Sequence, residues 1–283
     1  MAKTKRQIIE DLKLVDIVVE ILDARIPKSS QNPDIQSYIK EKNKIEVLNK
    51  CDLADDGITK LWVKFFEEKG IPAVITDSNS GKGIQDVIKK IHEVAKKNQE
   101  KYLNKGRIGK SIRVLVLGIP NVGKSSFINR ISKKTSAKVG NKPGVTRQKQ
   151  WIRVAEGIEL LDTPGVLWPK FENETIAMNL AYTGTIKDDI LQKVDIAYSL
   201  LKYLIENEQD KIIERYKTSK EEIQEELENT NRMENENILE IMYKIGRKRG
   251  AIVSGGQVDE EKVANIILDD FRSGKLGRIT LEH

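Results

Sequence analysis

The run Gly118-Ile119-Pro120-Asn121-Val122-Gly123-Lys124-Ser125-Ser126 reads G-x-x-x-x-G-K-S-S, the spacing of a phosphate-binding loop. The chemistry accounts for the residue types. Glycines let the backbone turn tightly enough for successive N–H groups, from Asn121 and Val122 through Gly123 to Ser126, to face phosphate oxygens. A helix that starts here adds a favourable dipole. Lys124 brings a positive charge between β- and γ-phosphates, and Ser125 offers a hydroxyl to Mg²⁺. The apolar run Ile112 to Leu117 just before the loop reads as a buried parallel strand. Phe127, Ile128 and Ile131 after it carry helical spacing. Strand, glycine loop and helix form the context that this motif requires.

Two further motifs say which nucleotide and which metal. Asn49-Lys50-Cys51-Asp52 reads N-K-x-D. The Asp52 carboxylate can accept from both N1–H and the 2-amino group of guanine, and adenine presents neither. Asn49 either donates to the base or ties its loop to the phosphate loop, and the Lys50 stem can cover the ring face. Asp162-Thr163-Pro164-Gly165 reads D-x-x-G at a strand end. Asp162 would hold Mg²⁺ through water, and the Gly165 N–H would sense the γ-phosphate. Thr146 is the candidate switch threonine, reaching both Mg²⁺ and γ-phosphate. Ser78-Asn79-Ser80 either gives backbone contacts to guanine or is a solvated turn. Lys124, Thr146 and Gly165 form the candidate catalytic set.

The elements that must position these residues follow from hydrophobic period. Ala2 to Leu14 reads as a basic amphipathic helix. Strands are expected over Asp16–Leu22, Lys44–Leu48, Ile71–Ile75 and Ile112–Leu117, with a hairpin from Gln150–Val154 and Ile158–Leu161. Helices are expected from Pro33 to Ile39, Asp55 to Lys69 and Ile84 to about Lys97. Lys96 to Lys110 reads as a polar connector, and Lys133 to Lys149 as a loop. Strands that alternate with helices imply a parallel sheet, whose ligands bind at the C-terminal strand ends. Beyond Glu174 the pattern turns helical, with Ile186–Ile205, Ile212–Leu227, Ile238–Ile245 and Asp259–Phe271 as helices. The domain division is placed at 1–175 and 176–283.

The order of the motifs carries information of its own. In a linear G domain the phosphate loop precedes N-K-x-D, whereas here it follows. The fold class is therefore α/β: a circularly permuted P-loop GTPase, in the order G4-G5-G1-G2-G3, followed by a small all-α domain. A sheet can be cut and rejoined in this way because each strand keeps its neighbours. The permutation leads the D-x-x-G switch straight into the helical domain. Nucleotide state is therefore expected to reposition that domain.

Composition excludes other classes. The 283 residues are 39% hydrophobic with one cysteine, so no internal disulfide can form. No apolar run approaches a membrane span, and the start has no signal-peptide shape. A net charge of +6 permits a polyanionic partner without demanding one. Lys3, Lys5, Arg6, the 96–110 connector, Lys133, Lys134, Lys138, Lys142, Arg147, Lys149, Arg247 to Arg249, Lys275 and Arg278 are candidate phosphate contacts, or simply a solvated face. His92 reads as structural, Trp62 and Trp151 as core, and Trp168 either stacks on a base or pins the switch. The closing Leu281-Glu282-His283 reads as partly an expression-tag remnant, and His283 is left out of site reasoning.

Asp23-Ala24-Arg25-Ile26-Pro27, the N-K-x-D and phosphate-loop motifs, Pro143-Gly144-Val145-Thr146 and Asp162 to Lys170 together resemble the ribosome biogenesis GTPase A family, the YlqF-type bacterial proteins. Ser254-Gly255-Gly256 and Gly274 to Ile279 extend the resemblance to nearly the whole chain. It implies a monomeric cytoplasmic GTPase that uses GTP/GDP and Mg²⁺. The expected partner is the late precursor of the large (50S) ribosomal subunit, whose rRNA the helical domain would contact. Val166 and Leu167 stand where Ras-like proteins carry the water-orienting Gln. The family is thought to use instead a His just before a Met-Ala-Lys segment, and this sequence begins at Met1-Ala2-Lys3. Slow intrinsic hydrolysis, stimulated by the pre-ribosome in the family, is therefore expected to stay slow in this sequence. Asn121 resembles the K⁺-ligating Asn of potassium-activated GTPases, or is a plain loop residue. A binding module whose hydrolysis is incidental is the second reading.

Overall fold

The computed structural model describes residues 2–39, 42–103, 111–136, 151–162, 173–186, 193–231 and 233–283. They fall into two compact units, 1–172 with 280–283, and 173–279. In chain order the first carries α1 (Ala2–Leu12), β1 (Ile17–Asp23), α2 (Pro33–Tyr38), β2 (Asn43–Asn49), α3 (Asp56–Glu68), β3 (Ala73–Ile75) and α4 (Ile84–Leu103). Then come β4 (Ile112–Leu117), α5 (Lys124–Ser136), β5 (Trp151–Ala155) and β6 (Ile158–Asp162). The six strands form one sheet in the order β3-β2-β1-β4-β6-β5. All neighbours are parallel except β5, which runs antiparallel to β6 at the edge. Asp23, Asn49, the residues after Ile75 and Leu117, and Asp162 thus all finish at one edge of the sheet.

β1 and β4 are central strands, and their aliphatic runs reflect burial on both faces. Ile8 and Leu12 of α1 pack with Val18, Ile35, Leu115, Leu117 and Leu161 in one core cluster. A second joins Leu22, Leu48 and Ala73 to Phe66 and the flank of Trp62 on α3.

One pair of strand residues breaks the apolar pattern. Glu20 and Glu46 are register partners on β1 and β2, and both are buried. Among the described residues one cation serves both: Lys44 Nζ lies 2.5 Å from Glu46 Oε1 and 3.4 Å from Glu20 Oε2. Glu46 Oε2 has no hydrogen-bond partner among the described residues. Burial, then the charge of Glu20, push the Glu46 carboxyl up to about 8, against the pull of Lys44. The folded value lies above the ordinary 4.5, so stability falls as pH rises from about 4.5 to about 8. Glu46→Gln should remove that slope. The variant should match the parent near pH 4.5 and exceed it by about 1–4 kcal/mol above pH 8, as read by denaturant melts across pH.

The second unit carries α6 (Glu174–Tyr182), α7 (Lys193–Asn207), α8 (Gln209–Tyr216), α9 (Lys220–Leu227), α10 (Glu234–Lys248) and α11 (Glu260–Arg272). Leu200, Leu201 and Leu204 of α7 and Ile267, Leu268 and Phe271 of α11 form its buried centre. Arg215 grips Asp270 with two bonds of 2.8 Å. Among the described residues no helix is long and apolar enough to cross a membrane.

Four expectations need correction. The helix expected to end near Lys97 runs to Leu103, because Lys, Gln, Glu and Leu favour helix and polarity alone does not stop one. Ile186, where a helix was expected to start, is not helical and follows the turn that closes α6 with Gly184 at positive φ; residues 187–192 lie outside the described residues, and α7 is described from Lys193. The single helix over Ile212–Leu227 is two. Lys217 sits in the left-handed region, and Ser219 then caps α9 through the Glu222 N–H. Residues 280–283, assigned to the helical domain and partly set aside, pack into the first unit. That leaves the helical unit as an insertion between residues 172 and 280.

Candidate functional site

Asn49 is the joint of the site. It closes β2, is almost fully buried, and uses both ends of its amide. Its Nδ2 donates to the Val122 carbonyl in the phosphate loop at 2.8 Å. Its Oδ1 accepts from the Thr76 hydroxyl at 3.1 Å, the Ser78 N–H at 3.0 Å and the Ser78 hydroxyl at 2.7 Å. Three loops, each following a different strand, therefore meet on one side chain. Of the two roles open to Asn49 in the sequence, the geometry shows the tie.

The phosphate loop is built for close approach. Gly123 has φ +92°, and a Cβ there would lie 2.4 Å from Asn49 Nδ2. Asn121 is also left-handed, at φ 63°. The loop runs directly into α5 at Lys124, which is buried, while Ser125 and Ser126 are exposed. Left-handed turns feeding a helix start make an anion-binding concavity.

Lys50 is held by its tip. Its Nζ lies 2.9 Å from Asp23 Oδ2, and Asp23 is completely buried at the end of β1. Arg25 completes the arrangement, with Nη2 at 2.7 Å from Oδ2, and Nε at 2.9 Å and its own N–H at 3.1 Å from Oδ1. Burial opposes ionisation of Asp23, but the charges of Arg25 and Lys50 outweigh it and hold the carboxyl far below its ordinary range. An anchored tip fixes the Lys50 stem. Asp52 is exposed, and its side chain makes no hydrogen bond among the described residues.

The loop after β3 is tied inward. The Ser78 N–H goes to Asn49, and the Asn79 and Ser80 N–H groups go to Asp77 at 2.8 and 3.1 Å. The backbone donors expected to face a base are thus engaged within the protein. Burial opposes ionisation of Asp77, but bonds from Ser80 and Asn79 and the charge of Arg130 lower its pKa. Arg130 of α5 also donates to the Ser78 carbonyl at 3.2 Å, a second tie between the phosphate-loop helix and this loop.

Asp162 ends β6 opposite Val116, two residues before Gly118. Thr146, Gly165, Val166, Leu167, Trp168, Lys138, Lys142, Arg147 and Lys149 lie outside the described residues. Of the basic trio after α10 begins to close, Arg247 pairs with Glu240 at 2.9 Å and Lys248 with Glu222 at 2.5 Å, while Arg249 is exposed. Asp23, Arg25, Thr76, Asp77 and Arg130 were not among the residues assigned to the site from sequence. Asp23-Ala24-Arg25 at a strand end was the available signal for two of them.

A family model described as "50S ribosome-binding GTPase" matches residues 113–244. It starts at the strand that feeds the phosphate loop, which leaves the earlier Asn49–Asp52 segment outside, as the permuted order requires. Ribosome biogenesis GTPase A of Bacillus licheniformis is 44% identical over 282 residues, covering 100% of this chain and 95% of the relative. That of Bacillus cereus is 43% identical, covering 100% and 91%. The chain belongs to the ribosome biogenesis GTPase A family. GNP-bound YlqF from T. maritima matches its fold with a TM-score of 0.66 at 27% identity, over 99% of this chain and 98% of that one. The family thereby carries the sheet, the permuted motif order and the helical region in one chain.

Proposed function

We propose that the chain binds GTP across the three loops that Asn49 joins and hydrolyses it while assisting assembly of the large ribosomal subunit. Family membership makes it a ribosome-biogenesis GTPase. The residue roles, the large subunit as partner and the metal requirements are the proposal. The observation that carries it is the 2.8 Å bond between Asn49 and Val122, which couples the guanine-reading segment to the phosphate loop.

Asp52 reads N1–H and the 2-amino group of guanine, and Lys50, anchored on Asp23, lies along the ring. The N–H groups of Asn121 to Ser126 hold the phosphates, with Lys124 between β and γ. Ser78 acts by holding Asn49, with Asn79 beside it in the loop. Ser125, Asp162 and Thr146 are the residues that would hold Mg²⁺, which would neutralise charge developing on the phosphates. Gly165 senses the γ-phosphate, and Asn121 would be the K⁺ ligand. Val166 and Leu167 cannot orient water, so unstimulated turnover should be on the order of 10⁻⁴ per second. The protein acts as a cytoplasmic monomer, and nucleotide state changes how the helical unit engages rRNA.

Co-sedimentation with large-subunit precursors, run with a GTP analogue and with GDP while turnover is followed in K⁺ and in Na⁺, tests this. More chain should travel with the subunit in the analogue state, and turnover should rise with K⁺ and, while staying slow, with subunits. Equal binding in both states would overturn the switching reading. Tight analogue-dependent binding with no subunit-stimulated turnover would favour the binding-module reading, and equal rates in K⁺ and Na⁺ would remove the role of Asn121.

A further inference from the structure

The last four residues return to the first unit and lie against both flanks of the guanine-reading segment. Thr280 and Leu281 are buried. The Thr280 hydroxyl accepts the Asp55 N–H at 3.0 Å, three residues after Asp52 and at the cap of α3. On the other flank, the Leu281 N–H donates to the Arg25 carbonyl at 2.8 Å. The Glu282 carboxylate then accepts the Lys28 N–H at 2.6 Å and the Ser29 N–H at 3.0 Å, together with the Ser29 hydroxyl. Its backbone carbonyl accepts from Trp62 Nε1 of α3 at 3.0 Å.

These contacts form a clasp. The turn after β1 presents successive N–H groups, a small nest that favours an anion, and Glu282 fills it. The turn also carries Arg25, whose guanidinium holds Asp23, which holds Lys50. From the opposite side, Thr280 secures the helix start that follows Asp52. No other described segment beyond residue 162 belongs to the first unit. We infer that Thr280 and Glu282 are positioning residues for guanine recognition: they hold the Asn49–Asp52 segment in the geometry that reads the base.

This rests on the assignment of Asp52 as the guanine reader. The consequence concerns the base and not the phosphates. Loosening the clasp should blunt discrimination by Asp52 and speed nucleotide release.

The experiment uses the full chain with Glu282→Ala, Glu282→Gln, Thr280→Val and Asp52→Ala. It measures release of a fluorescent GDP and the affinity ratio of GDP to IDP, which lacks the 2-amino group. Glu282→Ala should release GDP about tenfold faster and lower the ratio several-fold. Glu282→Gln, which keeps one acceptor oxygen but replaces the other with an amide donor that cannot accept an N–H, should fall between, and Thr280→Val should act in the same direction. A tail that only braced the fold would lower the nucleotide-free melting point and leave the ratio unchanged, which overturns the inference. If Asp52→Ala collapses the ratio while the Glu282 and Thr280 variants match the parent, the inference alone fails. If Asp52→Ala leaves the ratio intact, the assignment of the base site fails with it.

Discussion

Asn49→Ala is expected to weaken GDP binding by about 100-fold, with Asn49→Asp no better. The side chain is buried and joins Val122, Thr76 and Ser78. Alanine leaves the Val122 carbonyl and the Ser78 N–H without their partner, and neither backbone group can swing toward water as a hydroxyl can. Each orphaned buried group costs about 1–3 kcal/mol. A nucleotide that needs both loops in register feels that cost, and about 2.7 kcal/mol corresponds to 100-fold in affinity. Aspartate keeps the acceptor for Ser78 but turns a donor into an anion beside the Val122 carbonyl, so it does not rescue. Gly123 belongs to the same joint, since a Cβ there would meet the amide nitrogen at 2.4 Å. Calorimetry with GDP, alongside a melt of the nucleotide-free chain, checks the prediction. An affinity within threefold of the parent would mean the loops find their register without this side chain.

Much of this arrangement was legible in the sequence, for physical reasons that differ from element to element. The phosphate loop is a local object. Its glycines, Lys124 and the flanking strand and helix lie within one stretch, so spacing alone exposes it. N-K-x-D was readable as a base-reading segment because it closes a strand of a parallel sheet. For Asn49 two roles stayed open, base donor or tie to the phosphate loop, because the partners that decide between them, Thr76, Ser78 and Val122, lie in loops after two other strands. The anchor of Lys50 was hidden in the same way, since Asp23 lies on a neighbouring strand and meets it through register.

Other misses had a signal that went unused. Glu20 and Glu46 each interrupt an aliphatic strand at its middle, and two acids facing each other in a buried sheet need a shared cation, which Lys44 supplies. Ser219-Lys220-Glu221-Glu222 is an S-x-x-E start signal inside what read as one helix, and α9 begins there. The return of Thr280 to Glu282 had none. Their partners lie at Arg25, Lys28, Ser29, Asp55 and Trp62, and no local pattern announces a contact spanning most of the chain.

Asp52→Asn should exchange the preferred base. A carboxylate offers only acceptors, which matches the N1–H and 2-amino donors of guanine. Xanthine carries an oxygen at position 2, which the carboxylate repels and an amide N–H can meet, while the amide oxygen still accepts from N1–H. Two hydrogen bonds to a charged acceptor are together worth about 3–6 kcal/mol, or about 10²–10⁴ in affinity. The ratio of GDP to XDP affinity is therefore expected to fall by about 10³ or more and to reverse in sign of preference. The substitution is unusually clean to test. Asp52 is exposed, and its side chain makes no hydrogen bond among the described residues, so the melting point of the nucleotide-free chain should not move. Lys50 stays on Asp23 and Asn49 stays on Val122, so the walls of the site are unchanged. Competition of GDP and XDP for a fluorescent nucleotide reads the ratio directly. An unchanged preference would show that the base is read elsewhere, and the role of the whole Asn49–Asp52 segment would then reduce to holding the loops together.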